Sequence, residues 1–290
     1  MRGKLKKLFA AVLAVLLALS FSGCSELTGL DAQALMSPPK TTADREAIYA
    51  LMGGGVGDVT LVYPKYGDYR SAIISRDLDG CGTSEVVSFC ANGDAGGTRL
   101  EFFKKNTDGV WSSMARFTSA ATQVDKVFFG DLTGDGMDEI IVGWGDPLTA
   151  TASVSVYYVD GDTIREFSMT TVSYSEMLLT DFDSDNIKEL FVLQAAQTSG
   201  EEIMALGGLY RFDGDQPYVS KTVPLDAAVT RYTSVSFSQV NSWRRAAVLD
   251  GVKADGRMLT QVIGYDEASD RLISPLSNEE NATDRPTAAA

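Results

Sequence analysis

Histidine is absent from this 290-residue chain, and cysteine occurs only three times. The lack of histidine excludes Ser-His-Asp and Cys-His nucleophilic sites, histidine zinc sites and histidine pH switches. Positive charge is also scarce, since 25 basic residues stand against 39 acidic ones and give a formal net charge of −14. Nucleic acid is not expected as a partner, because phosphate binding needs a basic surface. Most of the polar chemistry left to the chain is that of carboxylates.

The composition is that of a folded protein. Hydrophobic residues make up 44% of the chain, which also contains 27 glycines and 8 prolines. This is too apolar for a disordered protein and too rich in glycine for a helical bundle. The length suits one large domain or two modest ones.

The N-terminal segment has the parts of an export signal. Four basic residues lie within residues 1–7, and the run Leu8–Phe21 is apolar or small throughout. This run is shorter than the roughly 20 residues a membrane helix needs, although a retained membrane helix is the alternative. The residues Phe21-Ser22-Gly23-Cys24 resemble the lipobox of bacterial lipoproteins. The resemblance implies that residues 1–23 are removed and that Cys24 is lipidated, which anchors the protein extracytoplasmically at the cell surface or the periplasmic face.

The remaining chain divides into three parts. Residues 24–57 are predicted to be a tether with a short helix over Thr42–Met52, capped by Thr42 and ended by the three glycines that follow. Residues 58–275 are predicted to form the folded domain, and residues 276–290, which are polar and low in complexity, a disordered tail. Cys81 and Cys90 are expected to remain free, since an extended stretch between them holds them too far apart for a disulfide.

The folded domain is predicted to be all-β. Short alternating or β-branched runs, separated by turn residues, continue from Val59–Tyr63 to Leu259–Tyr265. Short strands spaced in this way are typical of a sandwich, barrel or propeller. No amphipathic helices of the kind found in α/β folds lie between them.

An acidic segment recurs three times in this region. Its copies begin at Asp77, Asp131 and Asp181, which are 54 and 50 residues apart, and each leads into an apolar run. A fourth unit at residues 235–249 keeps the strand pattern without the acidic loop. A period near 50 residues with about four strands per unit is typical of propeller blades. We therefore expect a propeller-like array of about four four-stranded blades, as a closed ring or an open arc, with Val59–Tyr63 as a strand borrowed by the last blade.

The acidic segments have the oxygen spacing of a calcium loop. Oxygens at positions 1, 3 and 5, a carbonyl at position 7 and a carboxylate at position 9 can surround a hard cation. Position 6 must tolerate positive φ, and it is Gly82, Gly136 or Asn186. An EF-hand is excluded, because it needs a glutamate at position 12 and a following helix, whereas position 12 here lies inside a β-branched run.

This pattern resembles the FG-GAP or VCBS repeats of integrin-type β-propellers, which are common in secreted bacterial proteins and whose loops bind calcium. The resemblance covers about residues 58–270. The calcium ligands it implies are Asp77, Asp79, Glu85 and the Thr83 carbonyl in the first loop; Asp131, Thr133, Asp135, Glu139 and the Met137 carbonyl in the second; and Asp181, Asp183, Asp185, Glu189 and the Ile187 carbonyl in the third. Cys81 and Thr133 depart from the pattern, so the third loop is expected to be the strongest site and the first the weakest.

An alternative is that the loops are acidic turns, because Asp and Asn side chains bond their own backbone. The three loops hold 11 of the 39 acidic residues, a density that needs a cation or a basic neighbour to compensate it. The expected role of calcium is structural.

The sequence favours a non-catalytic, membrane-tethered module that binds a protein or a glycan. The alternatives are a relative of polysaccharide- or cell-wall-acting hydrolases or lyases, and a purely structural envelope protein. Trp144 and the segment Trp243–Arg245 could line a sugar site. Because Trp111, Trp144 and Trp243 fall in different units, packing within the blades is the expected role of each tryptophan.

Overall fold

The computed structural model describes residues 42–146, 151–167, 172–199, 202–214, 216–241, 244–274 and 283–285. The predicted signal segment, the predicted lipidation site Cys24, Trp243 and most of the predicted tether lie outside these residues. Within the described residues no helix is long and apolar enough to cross a membrane. The chain divides into two compact units, Met1–Glu46 and Ala47–Ala290, and the second contains all of the β-sheets.

The predicted short helix is present as α1 (Ala43–Leu51). Its start is capped as expected, since the Arg45 N–H donates to Thr42 Oγ1 at 3.4 Å. It ends before Gly53, whose φ of 95° a residue with a side chain rarely adopts. In the second unit, Ile48 and Met52 pack against Val86 and Phe103.

The rest of the described chain forms four antiparallel sheets, which confirms the all-β class with one short helix. Each sheet is a meander whose four strands are hydrogen-bonded in chain order, and a fifth strand joins the last sheet beside β15. The strands are β1 (Ile73–Arg76), β2 (Glu85–Ala91), β3 (Thr98–Lys105) and β4 (Trp111–Ser119) in the first sheet; β5 (Gln123–Gly130), β6 (Glu139–Asp146), β7 (Thr151–Asp160) and β8 (Thr163–Glu166) in the second; β9 (Glu176–Thr180), β10 (Glu189–Ser199), β11 (Glu202–Asp213) and β12 (Gln216–Pro224) in the third; and β13 (Val229–Asn241), β14 (Arg244–Lys253), β15 (Met258–Asp266), β16 (Arg271–Ile273) and β17 (Thr283–Arg285) in the fourth.

The sheets pack in series through their apolar faces. One buried cluster joins the first sheet to the second, a further cluster joins the second to the third, and another joins the third to the fourth. In the first three sheets the second strand lies deepest, and in β2 every residue from Glu85 to Cys90 is buried. Among the described residues, strand pairing does not close the four sheets into a ring.

Three expectations from the sequence have different outcomes. Cys81 and Cys90 are free, as predicted. Val59–Tyr63 does not join the last sheet, because Leu61 pairs with Cys90 of the first sheet and the Val62 N–H donates to the Phe89 carbonyl at 3.0 Å. The segment therefore pairs with the same edge of β2 as β1 does, beyond the point where β1 begins at Ile73. Strand β17 falls within residues 276–290, for which the sequence predicts a disordered tail.

Candidate metal centre

The three acidic loops occupy the same place in three consecutive sheets. Each connects the first strand of its sheet to the second, and its position-9 glutamate begins the second strand. The fourth sheet has no acidic loop between β13 and β14. The sequence repeat therefore corresponds to a structural repeat.

One hydrogen-bonding frame recurs in all three loops. The position-2 N–H donates to the position-9 carboxylate, and the position-6 N–H donates to the position-1 carboxylate. The first bond measures 2.9 Å at Leu78–Glu85, 2.6 Å at Leu132–Glu139 and 2.8 Å at Phe182–Glu189. The second measures 2.9 Å at Gly82–Asp77, 2.9 Å at Gly136–Asp131 and 3.1 Å at Asn186–Asp181. These bonds fix the two ends of each loop against each other.

Two residues of each loop have left-handed backbone conformation. At position 6, φ is 86° for Gly82, 84° for Gly136 and 72° for Asn186, as the sequence predicts. Position 4 is also left-handed, with φ of 69° at Gly80, 81° at Gly134 and 67° at Ser184. Glycine at position 4 of the first two loops indicates positive φ there, but the third loop has Ser184 at this position, so the pattern is not evident from all three sequences. The shared pair of angles shows that the three loops have one conformation.

Neighbouring loops are hydrogen-bonded to each other. The Asp138 N–H of the second loop donates to the Leu78 carbonyl at 3.1 Å, and the Lys188 N–H of the third loop donates to the Asp131 carbonyl at 2.9 Å. In both cases the donor is position 8 of one loop and the acceptor lies at the start of the preceding loop. The three loops thus form one continuous row.

The position-9 glutamates are buried carboxyl groups. Their exposed fractions are 4% for Glu85, 2% for Glu139 and 0% for Glu189. Burial raises the pKa of Glu85, and it raises the pKa of Glu139 to about 7, with a further contribution from the nearby Asp135 and Asp131 charges. A buried carboxyl group with a raised pKa is one that a cation would stabilise in its ionised form.

The possible metal ligands converge in two of the three loops. Ligand atoms of Asp77, Asp79 and Cys81 lie within 4.8 Å of one another in the first loop. Those of Asp181, Asp183 and Glu189 do so in the third. The carboxylates of the second loop form no such group among the described residues.

The remaining ligands proposed from sequence are engaged locally. Asp135 and Asp185 each accept the N–H of the position-7 residue, Met137 or Ile187, at 2.8 Å. Thr133 Oγ1 lies 3.5 Å from Glu139 Oε1 as a donor. In the first loop, Cys81 Sγ contacts the Thr83 carbonyl at 3.8 Å.

The first loop fits a cation in part. Asp77 Oδ1 is buried without a hydrogen-bond partner, which leaves an acceptor to be satisfied. A calcium ion takes six to eight oxygens, and two aspartates and a carbonyl would supply some of them, with solvent for the rest. Cys81 is the exception, since its sulfur is a poor ligand for a hard cation.

The third loop already contains a positive charge. The Arg211 guanidinium of β11 pairs with Asp183, lies 2.6 Å from Glu189 Oε1 and approaches Asp185 Oδ2 to 3.6 Å. Asp183 and Glu189 hold the pKa of Arg211 above its usual value despite its partial burial, so the side chain remains cationic. The loop sequence gives no sign of this residue, which lies 22 positions after Glu189. Only the cross-strand register of the third sheet reveals it.

A cleft of about 460 Å³ opens beside the third loop. It lies between that loop and the β15–β16 turn of the fourth sheet, and it combines aromatic, acidic and basic side chains. Its lining residues are Phe182, Asp183, Ser184, Arg245, Tyr265, Asp266, Glu267 and Ala268. Of the tryptophan groups considered from sequence, Trp144 is buried against Phe89 in the core, whereas Arg245 lines the cleft.

Comparison with known proteins gives no assignment, because no family model and no curated protein matches this sequence.

Proposed function

We propose that this protein is an exported, lipid-anchored, calcium-stabilised module that binds a protein or glycan at the cell envelope without catalysis. The observation that carries the proposal is the row of three loops with one hydrogen-bonding frame on consecutive sheets. Such a repeat is the arrangement that FG-GAP or VCBS repeats would have, and sheets that pack in series support a propeller-like array. The export and lipid anchor rest on the sequence around Cys24.

Calcium in this proposal has a structural role. Extracellular calcium modules bind in the ~0.1–1 mM range. With a dissociation constant of ~0.1 mM and ~1 mM calcium, one site stabilises the fold by about 1.4 kcal/mol. Calcium bound in the row would stabilise loops that are hydrogen-bonded to the loops of adjacent sheets, so its contribution would be to the stability of the binding surface.

The cleft beside the third loop is the proposed binding place. Its volume lies within the range of small-molecule sites, and its walls offer hydrogen-bond donors on Arg245 and acceptors on Asp266 and Glu267. Tyr265 is held in position because its hydroxyl donates to Asp270 Oδ1 at 2.6 Å. A half-exposed aromatic ring with fixed orientation beside both donors and acceptors suits a sugar unit or a polar peptide side chain.

Binding to a panel of bacterial envelope polysaccharides and peptides tests this proposal. Wild-type protein should bind at least one member, and Tyr265→Ala should weaken that binding at least tenfold. Tyr218→Ala is the matched control, because Tyr218 is an exposed tyrosine of β12 outside the cleft. Release of cleaved product from any panel member would contradict the non-catalytic role, and equal effects of the two substitutions would remove the cleft from the proposal.

A further inference from the structure

Arg211 occupies the position in the third loop where the family pattern would place a metal ion. Its guanidinium contacts Asp183 and Glu189, two of the carboxylates expected as calcium ligands, and lies within 3.6 Å of Asp185. The exposed fraction of the Glu189 side chain is 1%, and that of Asp183 is 14%. These contacts are therefore largely removed from solvent, which makes the attraction stronger than that of a surface ion pair.

The strand register shows why only this loop has such a partner. Leu190 pairs with Tyr210, so Glu189 lies opposite Arg211 on the adjacent strand. The corresponding positions are Lys104 in the first sheet and Tyr158 in the second, as the Val86–Phe103 and Ile140–Tyr157 pairs show. Directly opposite residues of an antiparallel pair point to the same face of the sheet.

The two equivalent residues have partners outside the acidic loops of their own sheets. Lys104 pairs with Asp162 in the turn between β7 and β8. The Tyr158 ring packs on Phe167, with 4.3 Å between ring centroids. Of the three cross-strand residues, Arg211 alone brings a positive charge to the carboxylates of its loop.

The guanidinium and a divalent cation would compete for the same oxygens. A metal bound by Asp183 and Glu189 would have to displace Arg211 from both carboxylates or lie directly beside its positive charge. Either arrangement is costly, because like charges at this distance repel and a displaced guanidinium would leave favourable charge-assisted bonds. One guanidinium nitrogen, Nη2, donates to both carboxylates, so the positive charge lies directly against the two groups that a metal would need.

We propose that Arg211 is the resident cation of the third loop and that it excludes a divalent metal there. The third loop, which keeps the full acidic pattern, is on this account independent of metal. This inference rests on the proposed calcium-binding role only because its test counts bound calcium ions. It confines that role to the first and second loops.

The test compares Arg211→Met with Lys104→Met, its counterpart in the first sheet, in the full chain. In EDTA, Arg211→Met should lower Tm by several degrees, because the three carboxylates that Arg211 contacts lose their counter-charge. It should also bind one more calcium ion per chain than wild type, measured by titration calorimetry, and calcium should restore its Tm. Lys104→Met should not gain a calcium ion, and Arg211→Lys, which keeps the charge, should not either.

Two results would overturn the proposal. One is an Arg211→Met protein that binds the same number of calcium ions as wild type. The other is a loss of bound calcium when Asp181→Asn is introduced into wild type, which would show that the native third loop holds metal; this second variant decides the matter if Arg211→Met does not fold. If wild type binds no calcium, the proposed calcium role is contradicted. The gain of one calcium ion in Arg211→Met would still test whether Arg211 excludes metal from the third loop.

Discussion

The buried glutamates at the loop ends link stability to pH. Glu139 is the clearest case, because burial raises its pKa to about 7 from a model-peptide value of 4.5. Between these two values the folded protein holds the proton more tightly than the unfolded chain. The free energy of unfolding must therefore fall as pH rises from about 4.5 to 7, and Glu139 contributes no further change above that range.

In EDTA, wild-type Tm should decrease from pH 5 to pH 8, and Glu139→Gln should make that decrease smaller. Glutamine still accepts the Leu132 N–H but carries no charge to desolvate. Thermal melts across this pH range provide the measurement. Glu267→Gln, at an exposed position, should leave the slope as in wild type, and an unchanged slope in Glu139→Gln would contradict the assignment of the pH dependence to this residue.

At single residues, the sequence predicts the conformation of the loops better than it predicts the Arg211 side chain that pairs with the third one. Position 6 is recognisable because Gly82, Gly136 and Asn186 all tolerate positive φ. Arg211 is not recognisable, because its proximity to Glu189 depends on which residues of β10 and β11 lie opposite each other. Register is a property of strand pairing, and it cannot be read from the loop alone.

The contact between the second and third sheets depends on a strand residue without a side chain. A Cβ atom at Gly143 of β6 would lie 2.5 Å from Met177 Cε and closer still to the Tyr174 hydroxyl. That hydroxyl cannot move away freely, because it donates to Asp125 Oδ2 at 2.7 Å. Gly143 is therefore required for the close approach of the two sheets.

Gly143→Ala should destabilise the protein by about 1–3 kcal/mol, the usual cost of adding an atom to a filled site. Gly145→Ala is the matched control on the same strand, since its nearest neighbour is the flexible side chain of Gln123 at 3.2 Å. Chemical denaturation measures both. Equal destabilisation by the two substitutions would contradict the role of Gly143 in joining the sheets.

The strands that the sequence predicts are mainly the buried ones. Strands β2, β6 and β10 lie deepest in their sheets, and their sequences are correspondingly apolar. Strands β4 and β12, each at an edge of its sheet, are hard to recognise from sequence, because their residues are mostly exposed or half-buried and their sequences are polar. These two strands lack the hydrophobic alternation on which strand prediction depends.

The number of sheets can be predicted from the sequence repeat, but the sheet that a given segment joins cannot. A period near 50 residues gives the number of units, and apolar strands ensure that each sheet packs on the next. Val59–Tyr63 was expected in the last blade and instead pairs with Cys90 in the first sheet. The choice between two sheet edges depends on backbone hydrogen bonds that composition does not specify.

The row of loops is the feature through which calcium would act on the whole fold. Its three members are bonded to each other through the N–H groups of Asp138 and Lys188, and each begins the deepest strand of its sheet. Calcium bound to the first or second loop should therefore raise the stability of the entire domain in a single cooperative transition.

The most direct test of this account is the thermal melt of the full chain in EDTA and in 0.1–5 mM calcium, with magnesium as control. Calcium should raise Tm and magnesium should not, because magnesium demands a stricter octahedral geometry. Asp77→Asn combined with Asp131→Asn should abolish the rise while keeping an acceptor for the Gly82 and Gly136 N–H groups. No rise in wild type, or an equal rise with magnesium, would contradict the calcium role and leave the loops as acidic turns.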